Sequence, residues 1–160
     1  MTPDELAQAC ADVMWKDDEA SRQLGMTLDA VSLGAATLSM PVRNDMTNGH
    51  GTVHGGFIFA LADSAFAFAC NSHNERAVAQ ACDIVFAAPA HRGDHLVAVA
   101  TERHRFGRNG IYDIRVTRDS ADGAVIAEFR GRSRTIGGAL VEATEDAGDA
   151  GDAHDPGPAR

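Results

Sequence analysis

The sequence predicts an α+β domain, one long helix laid on one face of an antiparallel sheet, and three observations carry that expectation. The run from Phe57 to Cys70 is apolar on every side except at Asp63 and Ser64. It is too short to span a membrane, so its all-round hydrophobicity predicts a helix buried completely in the core. Beyond residue 75 the chain alternates apolar and polar residues through four segments parted by turn residues, the pattern of strands that pair with their sequence neighbours. A length of 160 residues gives room for one sizeable core and one domain.

Taken in order, Thr2-Pro3-Asp4-Glu5 is a capping box with proline at the first helical position. Leu6, Ala9, Cys10, Val13 and Met14 follow at helical spacing, so an amphipathic helix is expected over residues 3–15. A short turn from Asp17 to Leu24 ends at Gly25, a residue suited to a helix C-terminus. Met26 to Val31 alternates, Gly34 breaks the pattern, and Ala36 to Met40 alternates again before Pro41, which reads as a two-stranded hairpin. A glycine-rich loop, Asn48-Gly49-His50-Gly51-Thr52-Val53-His54-Gly55-Gly56, then opens the apolar helix. Val78, Gln80, Cys82, Ile84 and Phe86 are expected on one face of the next strand, which ends at Ala87-Ala88-Pro89-Ala90. Leu96 to Thr101 extends toward Phe106, Gly107 to Gly110 forms a hairpin turn, and Ile111 to Thr117 returns. Ser120 to Gly123 turns again, and Val125 to Ile136 closes the sheet. The domain is expected to end at Gly138, and residues 139–160, rich in Asp, Gly and Pro, to form a disordered acidic tail.

The formal charge of -9 suggests a strongly acidic protein, but Glu142 to Arg160 holds six carboxylates against one arginine and supplies -5 of it. The remainder is mildly acidic, with arginines gathered between Arg103 and Arg134. That argues against nucleic acid as the main partner and leaves room for a local anion site. Cys10, Cys70 and Cys82 lack metal-ligand spacing and fit reduced thiols. Residues Met1 to Glu5 lack the basic and apolar regions of a secretory signal, so the expected compartment is the cytoplasm, with no membrane partner.

Asp63 is the first candidate for chemistry, because an ionised carboxylate on a buried helix is unfavourable by several kcal/mol unless it is paired. Either it caps or pairs with a neighbour, or it serves as a general base or nucleophile. Gly55 and Gly56 open the helix, where N–H groups lack intrahelical acceptors and the macrodipole favours negative charge. The pair either stabilises an oxyanion or meets a packing requirement. Asp63 follows Gly55 by eight residues, about 12 Å along one axis, so the two cannot reach the same carbonyl. A symmetric dimer with antiparallel helices would bring Gly55 of one chain to Asp63 of the other.

His54 and Asn48 lie in the loop before Gly55. His54 either donates to a substrate carbonyl or ties the loop, and Asn48-Gly49 alone is a turn signal. His50 and His54 are four apart, but no cysteine or further carboxylate accompanies them, which makes a metal a poor reading. Ser64 lacks the Gly-x-Ser-x-Gly elbow of a serine nucleophile, and its expected role is substrate contact, as for Gly56. The arginine-rich strands are either solvated faces or a phosphate site, in which Arg108, Asn109 and Gly110 at the turn are the expected members.

Asn48-Gly49-His50, His54-Gly55-Gly56, Leu61-Ala62-Asp63 and Phe66-Ala67-Phe68-Ala69-Cys70-Asn71-Ser72 together resemble the hotdog-fold acyl-CoA thioesterases. The likeness is to the phenylacetate-degradation, hydroxyphenylacetyl-CoA branch, and Tyr112-Asp113-Ile114, Phe129-Arg130-Gly131-Arg132-Ser133 and Ile136-Gly137-Gly138 extend it over residues 5–138. The resemblance implies a sheet wrapped around the central helix, homodimers that pair into a homotetramer, and no cofactor. It implies that the Gly55 N–H polarises the thioester carbonyl with Asn48 and His54 nearby, while Asp63 of the other subunit activates water or attacks the carbonyl. Coenzyme A would run along the subunit boundary with its phosphates near surface arginines. Some relatives place a serine on the strand after the helix to orient water; here Ala77 to Ala81 offers only Gln80.

The expected activity is hydrolysis of aryl- or arylacetyl-CoA to the free acid and CoA. Two rivals stand beside it. A hotdog dehydratase or hydratase commonly has its Asp before its His, whereas His54 precedes Asp63 here. A non-catalytic acyl-CoA-binding module would keep the fold and the ligand contacts without releasing thiol.

Overall fold

The computed structural model describes residues 1–142. It contains α1 (Pro3–Asp17), α2 (Glu19–Gln23), β1 (Thr27–Ser32), β2 (Ala35–Pro41), α3 (Gly55–Asn71), β3 (Ala77–Phe86), β4 (His95–Phe106), β5 (Asn109–Arg118) and β6 (Val125–Thr135). The capping box forms as expected: Thr2 Oγ1 accepts from the Glu5 N–H and the Glu5 carboxylate accepts from the Thr2 N–H. Helix α1 runs two residues past the expected end, because Lys16 and Asp17 continue its last turn before Asp18 caps α2.

All six strands form one antiparallel sheet in the order β1-β2-β4-β5-β6-β3. The strand that follows α3 in sequence is therefore not placed beside the earlier hairpin. It crosses to the far edge and leaves β3 paired on one side only, with β6. Helix α3 lies across the inner face, where Leu61, Ala62, Ala65, Phe66, Phe68 and Ala69 are buried. Phe59 and Phe66 meet the Phe129 ring with centroids 5.1 and 6.1 Å away, and Phe66 also meets Tyr112 at 5.5 Å. Close approach of helix and sheet needs glycine at Gly131, where an added Cβ would stand 2.8 Å from three atoms of the Phe66 ring.

Two sequence expectations are corrected here. Helix α3 is not buried all round: Gly56 is exposed, and Ala60, Asp63 and Ala67 form a half-exposed stripe with it at helical spacing, on the side where the sheet ends at β3. Nor does one face of β3 carry Val78, Gln80, Cys82, Ile84 and Phe86. A bulge between Ala79 and Ala81 makes Gln80 an extra residue, so the alternation reverses there. Ala77 and Ala79 share the inner face with Cys82, Ile84 and Phe86, and Val78 turns outward.

The sequence also set the end of the domain at Gly138. Beyond it, the N–H groups of Leu140 and Val141 both donate to the Asn74 side-chain oxygen at 2.9 Å, and Arg76 donates to the Ala139 carbonyl. Asn74, at φ 58, takes the left-handed conformation that asparagine tolerates, and it clasps the chain that follows β6. The rest of the expected acidic tail, 143–160, lies outside the described residues.

Because Phe66 is fully buried, Gly131→Ala should lower folding stability by about 1–3 kcal/mol through overpacking. Urea unfolding measures it, and a loss below about 0.5 kcal/mol would mean that the ring has room to move.

Candidate active site

The loop before α3 is held on both sides. His54 N–H donates to the Met46 carbonyl and Val53 N–H to the Ala90 carbonyl, each at 2.8 Å. Asn48 orders the interior of the loop: its Oδ1 accepts from the N–H groups of His50 and Thr52, and its Nδ2 donates to Thr52 Oγ1 at 3.0 Å. The Asn48 amide is thus engaged within the loop itself, the structural role that Asn-Gly alone suggested.

His54 is the N-cap of α3. Its Nδ1 accepts from the Gly56 N–H at 3.0 Å, so a neutral ring must carry its proton on Nε2 and present it as a donor. The Gly56 N–H is consumed by this cap, while the Gly55 N–H has no partner among the described residues. The first turn of α3 therefore offers one free backbone donor at its positive end, at Gly55. Gly55 also has a packing reason to be glycine, since an added Cβ would stand 2.8 Å from the Phe86 ring. Phe86, half exposed at the end of β3, was read from the sequence only as a strand position. With Val53, Ile58, Ala88 and Pro89 it lines an apolar pocket of about 430 Å³ beside Gly55.

Asp63 sits two turns further along α3 and is half-buried. Neither a cap nor an arginine holds it: its carboxylate makes no side-chain hydrogen bond or ion pair among the described residues. Burial alone pushes its pKa above the usual carboxylate range. Its charge also helps to raise the thiols of Cys70, pushed up to about 12 chiefly by burial, and Cys82.

The remaining expected contacts separate. Ser64 Oγ lies 2.8 Å from Ser21 Oγ, which Asp18 holds in turn, so the hydroxyl expected at substrate ties α3 to α2 in the protomer. Asn109 is the first residue of β5 rather than part of a longer turn, and pleat alternation sets it on the sheet face away from α3, because Gly110 beside it faces inward. Arg108 is exposed in the two-residue turn between β4 and β5, and its guanidinium donates to the Thr135 carbonyl. That turn adjoins the Ala77 end of β3, whereas Gly55 adjoins the Phe86 end, roughly 30 Å away along the strand. Within one protomer, Arg108 and Gly55 cannot touch one small molecule at the thioester. Among the described residues no group of three or more His, Cys, Asp or Glu is placed to hold a metal ion, and no helix is long and apolar enough to cross a membrane.

A sheet curled on one long helix, with the helix entered through a capped glycine loop, is the hotdog architecture. The chain belongs to the thioesterase superfamily, whose sequence profile matches residues 50–124. It is 42% identical over 131 residues to the acyl-coenzyme A thioesterase PaaI of Escherichia coli K12, spanning 82% of this chain and 92% of that protein. The structure of E. coli PaaI, from the phenylacetic acid degradation operon, superposes with a TM-score of 0.83 over 86% of this chain and 99% of that one, at 40% identity. A mutant of the phenylacetic acid degradation protein PaaI from Thermus thermophilus superposes with a TM-score of 0.70 at 34% identity, covering 74% of this chain and 100% of that one.

The folded-state pKa of Asp63 is raised, so the folded protein binds its proton more tightly than the unfolded chain does. Stability from this group is present below about pH 4 and lost as pH rises through the raised value. Asp63→Asn should therefore melt higher than the parent at pH 7 and lose that advantage near pH 4. Scanning calorimetry at the two pH values checks this, and an equal or lower Tm at pH 7 would contradict it.

Proposed function

We propose that this protein hydrolyses arylacetyl-CoA thioesters to the free acid and coenzyme A. The observation that carries the reading is the combination of a half-buried carboxylate, Asp63, and a helix-start N–H, at Gly55, that both lack a partner among the described residues. The likeness to a named acyl-CoA thioesterase at 42% identity supports the substrate class.

The two groups stand about 12 Å apart on one helix and so serve different carbonyls. The active unit in this reading is a homodimer, itself part of a homotetramer. Two features of the protomer support a second copy. Among the described residues strand β3 is an unpaired edge ten residues long, with Val78, Val85 and Phe86 exposed by 45, 65 and 50%. Such an edge is a template for another strand. Beside it runs the half-exposed stripe of α3 that holds Asp63.

In the assembled site the thioester oxygen accepts from the N–H of Gly55 of the partner subunit, with Nε2–H of the partner subunit's His54 as a second donor. Ionised Asp63 takes a proton from water as its oxygen attacks the carbonyl carbon. The tetrahedral oxyanion collapses, the C–S bond breaks, and the departing thiolate takes the proton back from Asp63. Direct attack by Asp63 would give a mixed anhydride and thiolate before hydrolysis; both routes need the carboxylate ionised. Desolvation favours the stronger base that either route uses. Asn48 keeps the loop in shape, and Arg108, exposed on the rim of the sheet, contacts the phosphates of coenzyme A.

Asp63→Asn should lower thiol release from phenylacetyl-CoA by about 10²–10⁴-fold without changing the oligomer, and near-normal turnover would sink the reading. Mixing Asp63→Asn with His54→Ala chains should recover part of the lost activity in mixed dimers. Subunit exchange demonstrated by mass spectrometry without recovered activity would rule out a site shared between chains.

A further inference from the structure

We infer that the hydroxyl of Ser133 reads the ring substituent of the acyl group and is a specificity-determining residue of this site. The inference rests on the arylacetyl-CoA hydrolase reading above.

Among the described residues six polar side chains are buried: Ser21, Ser39, Asn71, Ser72, Thr117 and Ser133. Five have partners. Ser21 is held by Asp18, Ser39 pairs with Thr27, Asn71 donates to the Ala77 carbonyl, Ser72 accepts from the Gly34 N–H, and Thr117 donates to the Ser120 carbonyl. Ser133 is 4% exposed and its hydroxyl makes no hydrogen bond among the described residues. No fully enclosed side-chain oxygen or nitrogen there lacks a partner, so the small accessibility of Ser133 includes its Oγ. A nearly buried hydroxyl without a partner is unfavourable, and a polar group on a ligand would relieve it.

Its surroundings are shaped to keep it uncovered. Ala79, Ser133 and Gly110 form one row across β3, β6 and β5 on the inner face of the sheet. A Cβ at Gly110 would stand 2.7 Å from Ser133 Oγ and 2.7 Å from the Tyr112 ring, so any side chain there would occupy the space of the hydroxyl. Ala79 is small, so no bulky side chain from β3 closes the row. Tyr112 OH, the other phenol or alcohol nearby, already donates to Glu102 at 2.8 Å.

The row lies at the right distance from the carboxylate. Cys82, Gly131 and Tyr112 form the adjacent row, and the Asp63 charge is close enough to Cys82 to raise its thiol. Successive inward rows are about 6.6 Å apart, comparable with the span of a phenyl ring. An acyl group with its carbonyl at Asp63 and its ring directed along the C-terminal half of α3 would pass Ala67, half-exposed one turn on, and end at Ser133. The substrate then divides at the thioester: the ring enters the inner face of the sheet, and the pantetheine and phosphates run over its rim toward Arg108. A hydroxyl both donates and accepts, which suits a ring hydroxyl.

The test is the ratio of kcat/KM for 3- and 4-hydroxyphenylacetyl-CoA to that for phenylacetyl-CoA, in the parent and in Ser133→Ala. The parent should favour one hydroxylated substrate by roughly tenfold, and Ser133→Ala should bring that ratio near one, mainly through KM. If Ser133→Ala does not fold, Ser133→Cys, near-isosteric and a much weaker donor, is read in its place. A ratio that survives the substitution overturns the inference. A parent that hydrolyses phenylacetyl-CoA with a ratio near one overturns it too and leaves the hydrolase reading standing. A parent that releases thiol from none of the three overturns both.

Discussion

The structure depends on fitting one very apolar helix against one sheet while keeping a carboxylate in the middle of that helix. Phe59 and Phe66 bury the side of α3 that meets Phe129 and Tyr112 of β6 and β5, while Phe68 packs on Trp15 of α1. That packing fixes the orientation of α3 about its own axis, and so it fixes the direction of Asp63. The acid faces the side where the sheet stops at β3, half-buried and without a cation to hold it among the described residues. An unpaired charge there opposes folding, and the surrounding core must exceed that opposition.

The same economy governs the entry to the helix. One imidazole does two things at once: its Nδ1 satisfies the Gly56 N–H, and that bond decides which ring nitrogen keeps the proton. Cap and donor are consequences of a single contact. Gly55 next to it is left with a free N–H because the cap reaches one residue further, and the Phe86 ring fills the space where a side chain would lie. A loop pinned by Met46 and Ala90 and ordered by Asn48 keeps this donor set in place before any ligand arrives.

Much of the fold was legible because its signals are local. The Thr2 to Glu5 box, the glycine at position 25, the Gly34 break and the Gly107 turn each announce an element within a few residues, and the structure forms each one. The long helix and its single acid were legible for the same reason. What the sequence could not convey was non-local. An inserted residue at Gln80 reverses the faces of half a strand, and alternation alone does not mark it. The crossing of β3 to the far edge is a matter of pairing, and it is what leaves one stripe of α3 uncovered. Ser64 follows Asp63 in sequence, yet on a helix adjacent residues face directions about 100° apart, and its hydroxyl meets Ser21. Of the proposed site, the residue types and the roughly 12 Å between Gly55 and Asp63 were readable, while the free or occupied state of each donor required the contacts.

The bulge in β3 has a consequence for the life of the newly made chain. An open ladder ten residues long, rich in Val, Ile and Ala and free of proline, would accept any extended segment that met it during synthesis. Fibrils need unbroken, in-register stacking of identical strands, and the extra residue at Gln80 interrupts the hydrogen-bond repeat in the first half of the strand. Asp83 next to Cys82 and Arg76 just before the strand add charges that repel their own copies when strands stack in parallel. The bulge and the flanking charges thus work against in-register stacking of this edge on its own copies.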